Sequence, residues 1–290
     1  MARLPITYVD VFAARPHEGN HLPVVHAADL LSESTMEAYA RRTRQSETSF
    51  LQAPTVSQAD YRNRIFTVES EIPFAGHPTL GAAAALCHHA GTPTRELWQQ
   101  SMHGVHRVLV SLDGDSGSVS MEQSGCEFGE IIDAGDIARS LGISVEALHP
   151  TLPAQVLSTG LPMIVVPLVS IAPLRSARLD RDALGHALES VVAESAMSLN
   201  CYVVAEESEG EWSARSFSLD VVGGEDPATG SAAGPFGAYL RDRLGLIRLG
   251  ISQGVDMGEP SRLRVDTSDG IVVSGDVHVV ATGMVSLQEG

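Results

Sequence analysis

Two short segments of this chain combine glycines with side chains that can hold or move a proton. One is AGHPTLG, which contains Gly76 and His77, and the other is DPATGSAAG, which contains Asp226, Gly230 and Ser231. Each opens a stretch rich in Ala and Gly with almost no charge, which predicts a helix buried on nearly all sides. The free N–H groups and positive dipole at a helix start suit a carboxylate or phosphate ligand. Ordinary capping by Asp and Ser explains the same residues without a ligand, so both interpretations stay open.

Glu47 is a third candidate for chemistry. It lies in QSETSFL, where polar residues precede a hydrophobic strand candidate. An exposed Glu at a strand edge needs no function. In a cleft lined by small apolar residues, however, the pKa of such a carboxyl would rise, and the group could shuttle a proton near neutral pH. His77 is its candidate partner, as an acid/base or as a hydrogen-bond donor.

The elements that must position these residues are indicated by hydrophobic patterns and turn residues. Residues 5–12 and the segment HLPVVHA have the composition of strands. SESTMEAYARRTR predicts an amphipathic helix capped by Ser32 or Ser34. After the first small-residue helix, HRVLVSLDGDSGSVSMEQ predicts a hairpin with its turn at DGDSG.

The second half of the chain, from about residue 125, follows the same plan of strands, a Gly/Pro turn, one small-residue helix and more strands. Residues 179–195 predict an amphipathic helix, and residues 231–240 predict the small-residue helix. RLRVDT, GIVVSG and HVVATGMVSL predict three separate strands in the tail. The pattern indicates an α+β protein in which each half curls a mostly antiparallel sheet around one central helix.

This repeated plan predicts two pseudo-symmetric lobes. The N-terminal lobe is expected to span residues 1–122, completed by a C-terminal strand at about 277–290, and the C-terminal lobe to span residues 123–276. Two such lobes would leave a cleft between them, and domain interfaces are where small-molecule sites tend to occur.

Composition narrows the classes of partner and the compartment. The 290 residues include 43% hydrophobic side chains and carry 36 acidic against 19 basic groups, for a formal charge of −17. Such a balance argues against nucleic acid or an anionic membrane as a partner, because both require clustered Lys and Arg. The three cysteines form no CxxC pair, and no apolar run is long enough to span a bilayer. A cytoplasmic protein is therefore expected.

Motifs for the common cofactors are missing from the sequence. His88 and His89 are adjacent, so they cannot share one face of a helix as metal ligands, and no HExxH is present. No GxGxxG follows a strand, and neither GxxxxGK[ST] nor GxSxG occurs. We therefore expect no metal site and no nucleotide cofactor.

An ordered set of motifs along nearly the whole chain closely resembles the PhzF family of phenazine-biosynthesis isomerases. EIPFAGHPTLG and EDPATGSAAG are long and specific, and chance recurrence of both in this order is negligible. The matching segments are VDVFAARPHEGNHLPVV (9–25), QSETSFL (45–51), RIFTVESEIPFAGHPTLGAA (64–83), STGLPMIVV (158–166), EDPATGSAAGP (225–235) and ISQGVDMGEPSRLRV (251–265).

The resemblance implies a diaminopimelate epimerase-like fold and a homodimer with one substrate site per chain in the interlobe cleft. It implies an isomerase without a cofactor that acts on a small carboxylated metabolite in secondary metabolite biosynthesis. The best-known relative isomerises dihydro-hydroxyanthranilate by an allylic proton shift. The family's proton-moving Glu is Glu47 here, and the other catalytic residues implied are His77 and Asp226. The substrate-binding residues implied by the matching motifs are Asn20, Ser46, Gly76, Gly160, Gly230 and Ser231.

The sequence departs from the family pattern at one turn, where EGNH stands in place of GGNP, so that His21 replaces a proline. Related racemases carry a cysteine at each helix start, but both positions lack one here, and Cys87 lies about two helical turns further on. A two-thiol racemase is therefore disfavoured. Two other functions stay open: a hydrolase or lyase that uses Glu47, and a binding protein without catalysis.

Overall fold

The computed structural model describes residues 2–191 and 199–288. The chain divides into two compact units, one formed by Met1–Gln123 with Val272–Gly290 and the other by Ser124–Ile271. Among the described residues, the helices are all too short or too polar to cross a membrane.

The described part of the first unit contains the α-helices α1 (Glu33–Thr43) and α2 (Gly76–Ala90). Its strands are β1 (Ala2–Val11), β2 (Asn20–Val25), β3 (Thr48–Gln52), β4 (Tyr61–Phe66), β5 (Glu71–Ile72), β6 (Thr94–Ser101), β7 (Gly104–Asp113), β8 (Ser116–Gln123) and, apart from its first residue, β17 (Ile271–Leu287).

The strands of the first unit pair into a closed ring. β1 pairs with β2 and β17, β2 runs parallel to β3, β3 pairs with β4, and β4 runs parallel to β6. β6, β7 and β8 form an antiparallel meander, and β8 pairs with β17 to complete the ring. Helix α2 packs against strands all around the ring, namely β1, β2, β3, β4, β6, β7 and β8, so it lies inside the sheet. Its uncharged composition follows from that position, because a charged side chain inside would lose its hydration.

Close approach between α2 and the ring depends on a glycine. A Cβ on Gly81 would lie 2.6 Å from Cδ2 of Leu22 and 2.8 Å from Cγ2 of Val11. On the other face of the sheet, α1 is capped by Ser32, whose Oγ accepts a hydrogen bond from the Thr35 N–H at 3.3 Å. The two helices predicted in this unit are thus confirmed, and so is the predicted hairpin between β7 and β8.

The second unit contains the helices α3 (Gly135–Ser140), α4 (Ile171–Ser176), α5 (Arg181–Val191) and α6 (Gly230–Leu244). Its strands are β9 (Glu127–Ile131), β10 (Gln155–Ser158), β11 (Pro162–Leu168), β12 (Asn200–Ser208), β13 (Glu211–Phe217), β14 (Glu225–Asp226), β15 (Arg248–Gln253) and β16 (Ser261–Asp266).

These strands pair in the order β9, β10, β11, β12, β13, β15 and β16, with β11–β12 and β13–β15 parallel and the other pairs antiparallel. Helix α6 packs on β10, β15 and β16, and α3, α4 and α5 share an apolar core with β11 and β12. A Cβ on Gly237 would lie 2.5 Å from Cγ1 of Val265, so this helix also approaches its sheet through a glycine.

Several predicted element bounds differ from the structure. The tail segments GIVVSG and HVVATGMVSL form one continuous strand, β17. Gly275 does not make a turn there; a Cβ on it would lie 2.3 Å from Cδ1 of Phe12, so glycine permits a close contact instead. Helix α6 continues past residue 240 to its αL cap at Gly245. The helix predicted over 179–195 begins at Arg181, and residues 192–195 lie outside the described residues.

Candidate active site

Five of the predicted site residues lie in the first unit, where the starts of three elements bring polar side chains together. Strand β2 begins at Asn20, and β3 begins at Thr48, directly after Glu47. Because these two strands are parallel neighbours, their first residues lie at the same edge of the sheet. Helix α2 begins at Gly76, and its second residue is His77.

Hydrogen bonds connect these side chains in a directed series. The Ser46 hydroxyl donates to Oδ1 of Asn20 at 3.2 Å, and the Asn20 amide nitrogen donates to Nδ1 of His77 at 3.1 Å. This places the ring proton of His77 on Nε2, which lies 3.4 Å from Oε2 of Glu47. Asn20 and His77 are buried, and the Glu47 side chain is 14% exposed. A neutral N–H group therefore faces the carboxyl of the predicted acid/base.

The electrostatic surroundings keep His77 neutral. Burial, reinforced by the charge of His21, lowers the pKa of His77 from 6.5 to about 3. A group with that pKa carries no charge at neutral pH and would be a weak base. The geometry thus favours His77 as a hydrogen-bond donor that orients Glu47, the second of its two predicted roles.

A second carboxylate of this unit was not predicted from the sequence. Oδ1 of the buried Asp10 lies 2.6 Å from Nδ1 of His21, the residue that departs from the family pattern. Oδ2 of Asp10 accepts a hydrogen bond from the His17 N–H at 2.6 Å. The sequence offered one signal for it, since Asp10 lies in the apolar strand segment VDVFA. A carboxylate buried in such a strand requires charged or hydrogen-bonding partners.

In the second unit, a network at the start of α6 holds the carboxylate of Asp226. The Thr229 hydroxyl donates to Oδ2 of Asp226 at 2.6 Å. Gln253, which is buried, donates from its amide to the Asp226 carbonyl at 2.8 Å and to the Thr229 hydroxyl at 3.0 Å. Its Oε1 accepts from the Thr229 N–H at 3.2 Å. Gly230 and Ser231 follow as the first two residues of α6.

Gln253 was missed by reasoning from the sequence, although it lies within the segment ISQGV that carries the family resemblance. A Gln in an otherwise apolar strand was the signal, because its buried amide needs four hydrogen-bonding partners. Gly160, the remaining predicted residue, lies in the turn between β10 and β11 with a φ of +130°. Its N–H donates to Oγ of Ser158 at 3.0 Å, so its contact with a substrate stays a prediction.

None of the three cysteines is among the first residues of α2 or α6. Cys87 is buried in the last turns of α2, and burial raises its pKa. Burial raises the pKa of Cys126 to about 11 and that of Cys201 to about 12. All three are thus poor sources of thiolate. Across the part of the chain that the structure describes, no three His, Cys, Asp or Glu side chains are grouped to hold a metal ion.

Comparison with known proteins identifies the family. The sequence model of the phenazine biosynthesis-like proteins, PhzC-PhzF, matches residues 9–284. The chain is 35% identical to trans-2,3-dihydro-3-hydroxyanthranilate isomerase of Pseudomonas chlororaphis, over 96% of this chain and 98% of that protein. It is 33% identical to the uncharacterized isomerase YddE of Escherichia coli, over 81% of this chain and 78% of that protein.

Solved structures agree with this assignment. A predicted epimerase from Pseudomonas aeruginosa superposes with a TM-score of 0.83 at 35% identity, covering 98% of this chain and 99% of its own. A hydroxyproline epimerase from Agrobacterium vitis shares the fold alone, with a TM-score of 0.64 at 10% identity over 98% of this chain and 91% of its own.

The fold is the α+β, diaminopimelate epimerase-like one, and the enzyme class is isomerase. The chain belongs to the phenazine biosynthesis-like family, PhzC-PhzF.

Proposed function

We propose that this isomerase moves a proton between two carbon atoms of a small carboxylated metabolite, with Glu47 as the acid/base and without a cofactor. The observation that carries the proposal is the contact between the neutral Nε2–H of His77 and the Glu47 carboxyl. The substrate class is that of trans-2,3-dihydro-3-hydroxyanthranilate, on which relatives at 33–35% identity act according to their names.

One carboxyl group is sufficient for this reaction. The Glu47 carboxylate removes a proton from a substrate carbon, and the electron pair of that C–H bond shifts into the adjacent unsaturated system. The protonated Glu47 then returns a proton to a second carbon, so the product has the formula of the substrate. The His77 N–H holds the carboxylate in place between the two steps, and Asn20 keeps the His77 ring in the required tautomer.

The surroundings of Glu47 support such a role. Its side chain is largely shielded from water, which limits competition between bulk water and the substrate for the carboxyl group. The raised pKa values of Cys126 and Cys201 speak against a reaction that uses thiolates. Asp226 is proposed as a further catalytic residue beside the substrate, and Gly230 and Ser231 as substrate-binding residues at the start of α6.

The test is Glu47→Gln, which keeps the shape of the side chain and removes its basic oxygen. Turnover of trans-2,3-dihydro-3-hydroxyanthranilate should fall by at least about 10²-fold, the usual contribution of a general acid or base. The matched control is Glu69→Gln, because Glu69 is exposed in the same unit and should leave turnover unchanged. Circular dichroism should show both variants folded. Near-normal turnover by a folded Glu47→Gln protein would overturn the proposal.

We also propose that the chain works in the cytoplasm as a homodimer and binds neither nucleic acid nor membrane. The family resemblance supports the dimer, and the charge of −17 speaks against anionic partners. Light scattering coupled to size exclusion tests the dimer: a mass near 30.7 kDa instead of twice that value would contradict it.

A further inference from the structure

Each unit contains an equivalent arginine–glutamate pair, directly before the helix that carries the candidate site residues. In the first unit, Arg64 of β4 makes two parallel hydrogen bonds to Glu71 of β5, from Nε to Oε1 at 2.7 Å and from Nη2 to Oε2 at 2.5 Å. The guanidinium also lies over the ring of Phe66, 5.2 Å from its centroid. Both partners are largely buried, with side chains 12% and 14% exposed.

The second unit repeats this arrangement. Arg215 of β13 bonds Glu225 of β14 from Nε to Oε1 at 2.8 Å and from Nη2 to Oε2 at 2.6 Å, with the two side chains 9% and 14% exposed. Its guanidinium lies 4.9 Å from the ring centroid of Phe217. We call these two arrangements the Arg64–Glu71 clamp and the Arg215–Glu225 clamp.

The strand register of the two clamps is also the same. Phe66 is the cross-strand partner of Glu71, and Phe217 is the cross-strand partner of Glu225. In both units, the arginine precedes that phenylalanine by two residues on the same strand. The clamps are therefore equivalent in sequence spacing, pairing and hydrogen-bond geometry.

Both clamps fix the segment that leads into a helix start. The spacing E-x-P-x-x-G runs from Glu71 to Gly76 and from Glu225 to Gly230, and each of these glycines is the first residue of its helix. The clamped strands, β5 and β14, contain only two residues each. So short a strand is weakly held by its backbone pairing alone. A buried, bidentate pair adds both energy and direction.

We propose that Arg64 and Arg215 are positioning residues: through Glu71 and Glu225 they fix the starts of α2 and α6. The Arg64–Glu71 clamp would thereby set the placement of His77 against Glu47. The Arg215–Glu225 clamp holds the residue next to Asp226 in the chain. Nη1 of Arg215 also donates to the carbonyls of Leu174 and Ala177, at 3.1 and 2.9 Å, which anchors this clamp at α4.

The test uses Arg64→Lys and Arg215→Lys, because lysine keeps the charge but cannot form two parallel bonds. The first readout needs no substrate: the amide resonances of the ¹⁵N-labelled protein. Arg64→Lys should shift the resonances of Gly76 and His77, and Arg215→Lys should shift those of Gly230. Each variant should leave the helix start of the other unit unchanged.

The second readout is kinetic, and it rests on the proposed function. With trans-2,3-dihydro-3-hydroxyanthranilate as substrate, kcat should fall by about 10- to 100-fold in each lysine variant, because small misplacements of reacting groups cost that much. KM should change less than kcat. Leu31→Ala and Ile137→Ala are the controls, since each removes a buried side chain from the same hydrophobic core as the clamp's phenylalanine and should lower Tm while the arginine–glutamate hydrogen bonds stay in place.

The outcomes separate the two proposals. If kcat in the lysine variants falls no further than in controls of equal Tm, or if the helix-start resonances do not move, the clamps only stabilise the fold and the inference is wrong. If the wild-type protein does not convert the substrate, the proposed function fails, while the amide shifts still decide whether the clamps position the helix starts.

Discussion

Replacing Asn20 by Asp should reverse the tautomer of His77. In the structure, the Asn20 amide donates to Nδ1 of His77, which leaves the ring proton on Nε2 beside Glu47. A carboxylate at position 20 has no proton to donate, so it would accept one from Nδ1 instead. The lone pair of Nε2 would then face the Glu47 carboxylate, and the favourable contact of the N–H with the carboxylate would become a repulsion.

The magnitude follows from the groups involved. A carboxylate in contact favours the protonated form of the imidazole, so the pKa of His77 should rise in Asn20→Asp. Loss of a hydrogen bond to a charged group costs about 1.5–3 kcal/mol. If the His77 N–H donates such a bond to Glu47 in the transition state, kcat should fall by roughly 10- to 150-fold.

The assay is ¹⁵N NMR of the imidazole nitrogens, combined with steady-state kinetics. The wild-type protein should show His77 protonated at Nε2, and Asn20→Asp should show protonation at Nδ1 or at both nitrogens. Asn63→Asp is the control, because it places a carboxylate at another buried Asn of the same unit, whose amide bonds Pro78 and Gln99 instead. A wild-type ring protonated at Nδ1, or an Asn20→Asp protein with unchanged tautomer and kcat, would refute the reasoning.

Three further predictions follow from the same structure. Asp226→Asn should lower kcat/KM by about 10²-fold or more if this carboxylate takes part in proton transfer, measured by initial rates; an unchanged value would remove it from the mechanism. Gly81→Ala should lower the free energy of unfolding by about 1–3 kcal/mol in urea titrations through overpacking, whereas Gly125→Ala, with open space at its Cβ, should not. Burial lowers the pKa of His26 to about 4 and that of His77 to about 3, so as pH falls these histidines bind protons in the unfolded chain before they do so in the folded protein. The free energy of unfolding should therefore fall as pH decreases from about 6.5 toward 4. A constant Tm over that interval would contradict this prediction.

The elements that could be predicted from the sequence are those that depend on short local residue patterns. The small uncharged residues of α2 and α6 indicated buried helices, and DGDSG indicated the turn between β7 and β8. The continuity of β17 could not be predicted, because Gly275 resembles a turn residue until the ring of Phe12 is placed against it. Closure of the first sheet through β8 and β17 depends on pairing between distant parts of the chain, which no local pattern encodes.

In the candidate site, too, some features could be predicted from the sequence and others depend on contacts between distant residues. Family resemblance selected Glu47 and His77, but the bond between Asn20 and His77 joins residues 57 positions apart. The tautomer of His77, and hence its role as a donor, follows only from that contact. The partnership of Arg215 with Glu225 likewise required the register of β13 and β14, since an Arg and a Glu ten residues apart have no fixed relation in sequence.

The central claim, that Glu47 moves a proton between substrate carbons, is tested most directly by mass spectrometry of the product formed in deuterated water. The wild-type protein should give a product of unchanged formula apart from deuterium bound to carbon, and Glu47→Gln should form neither product nor labelled substrate. A product that has gained water or lost a fragment, or equal labelling by Glu47→Gln, would contradict the account.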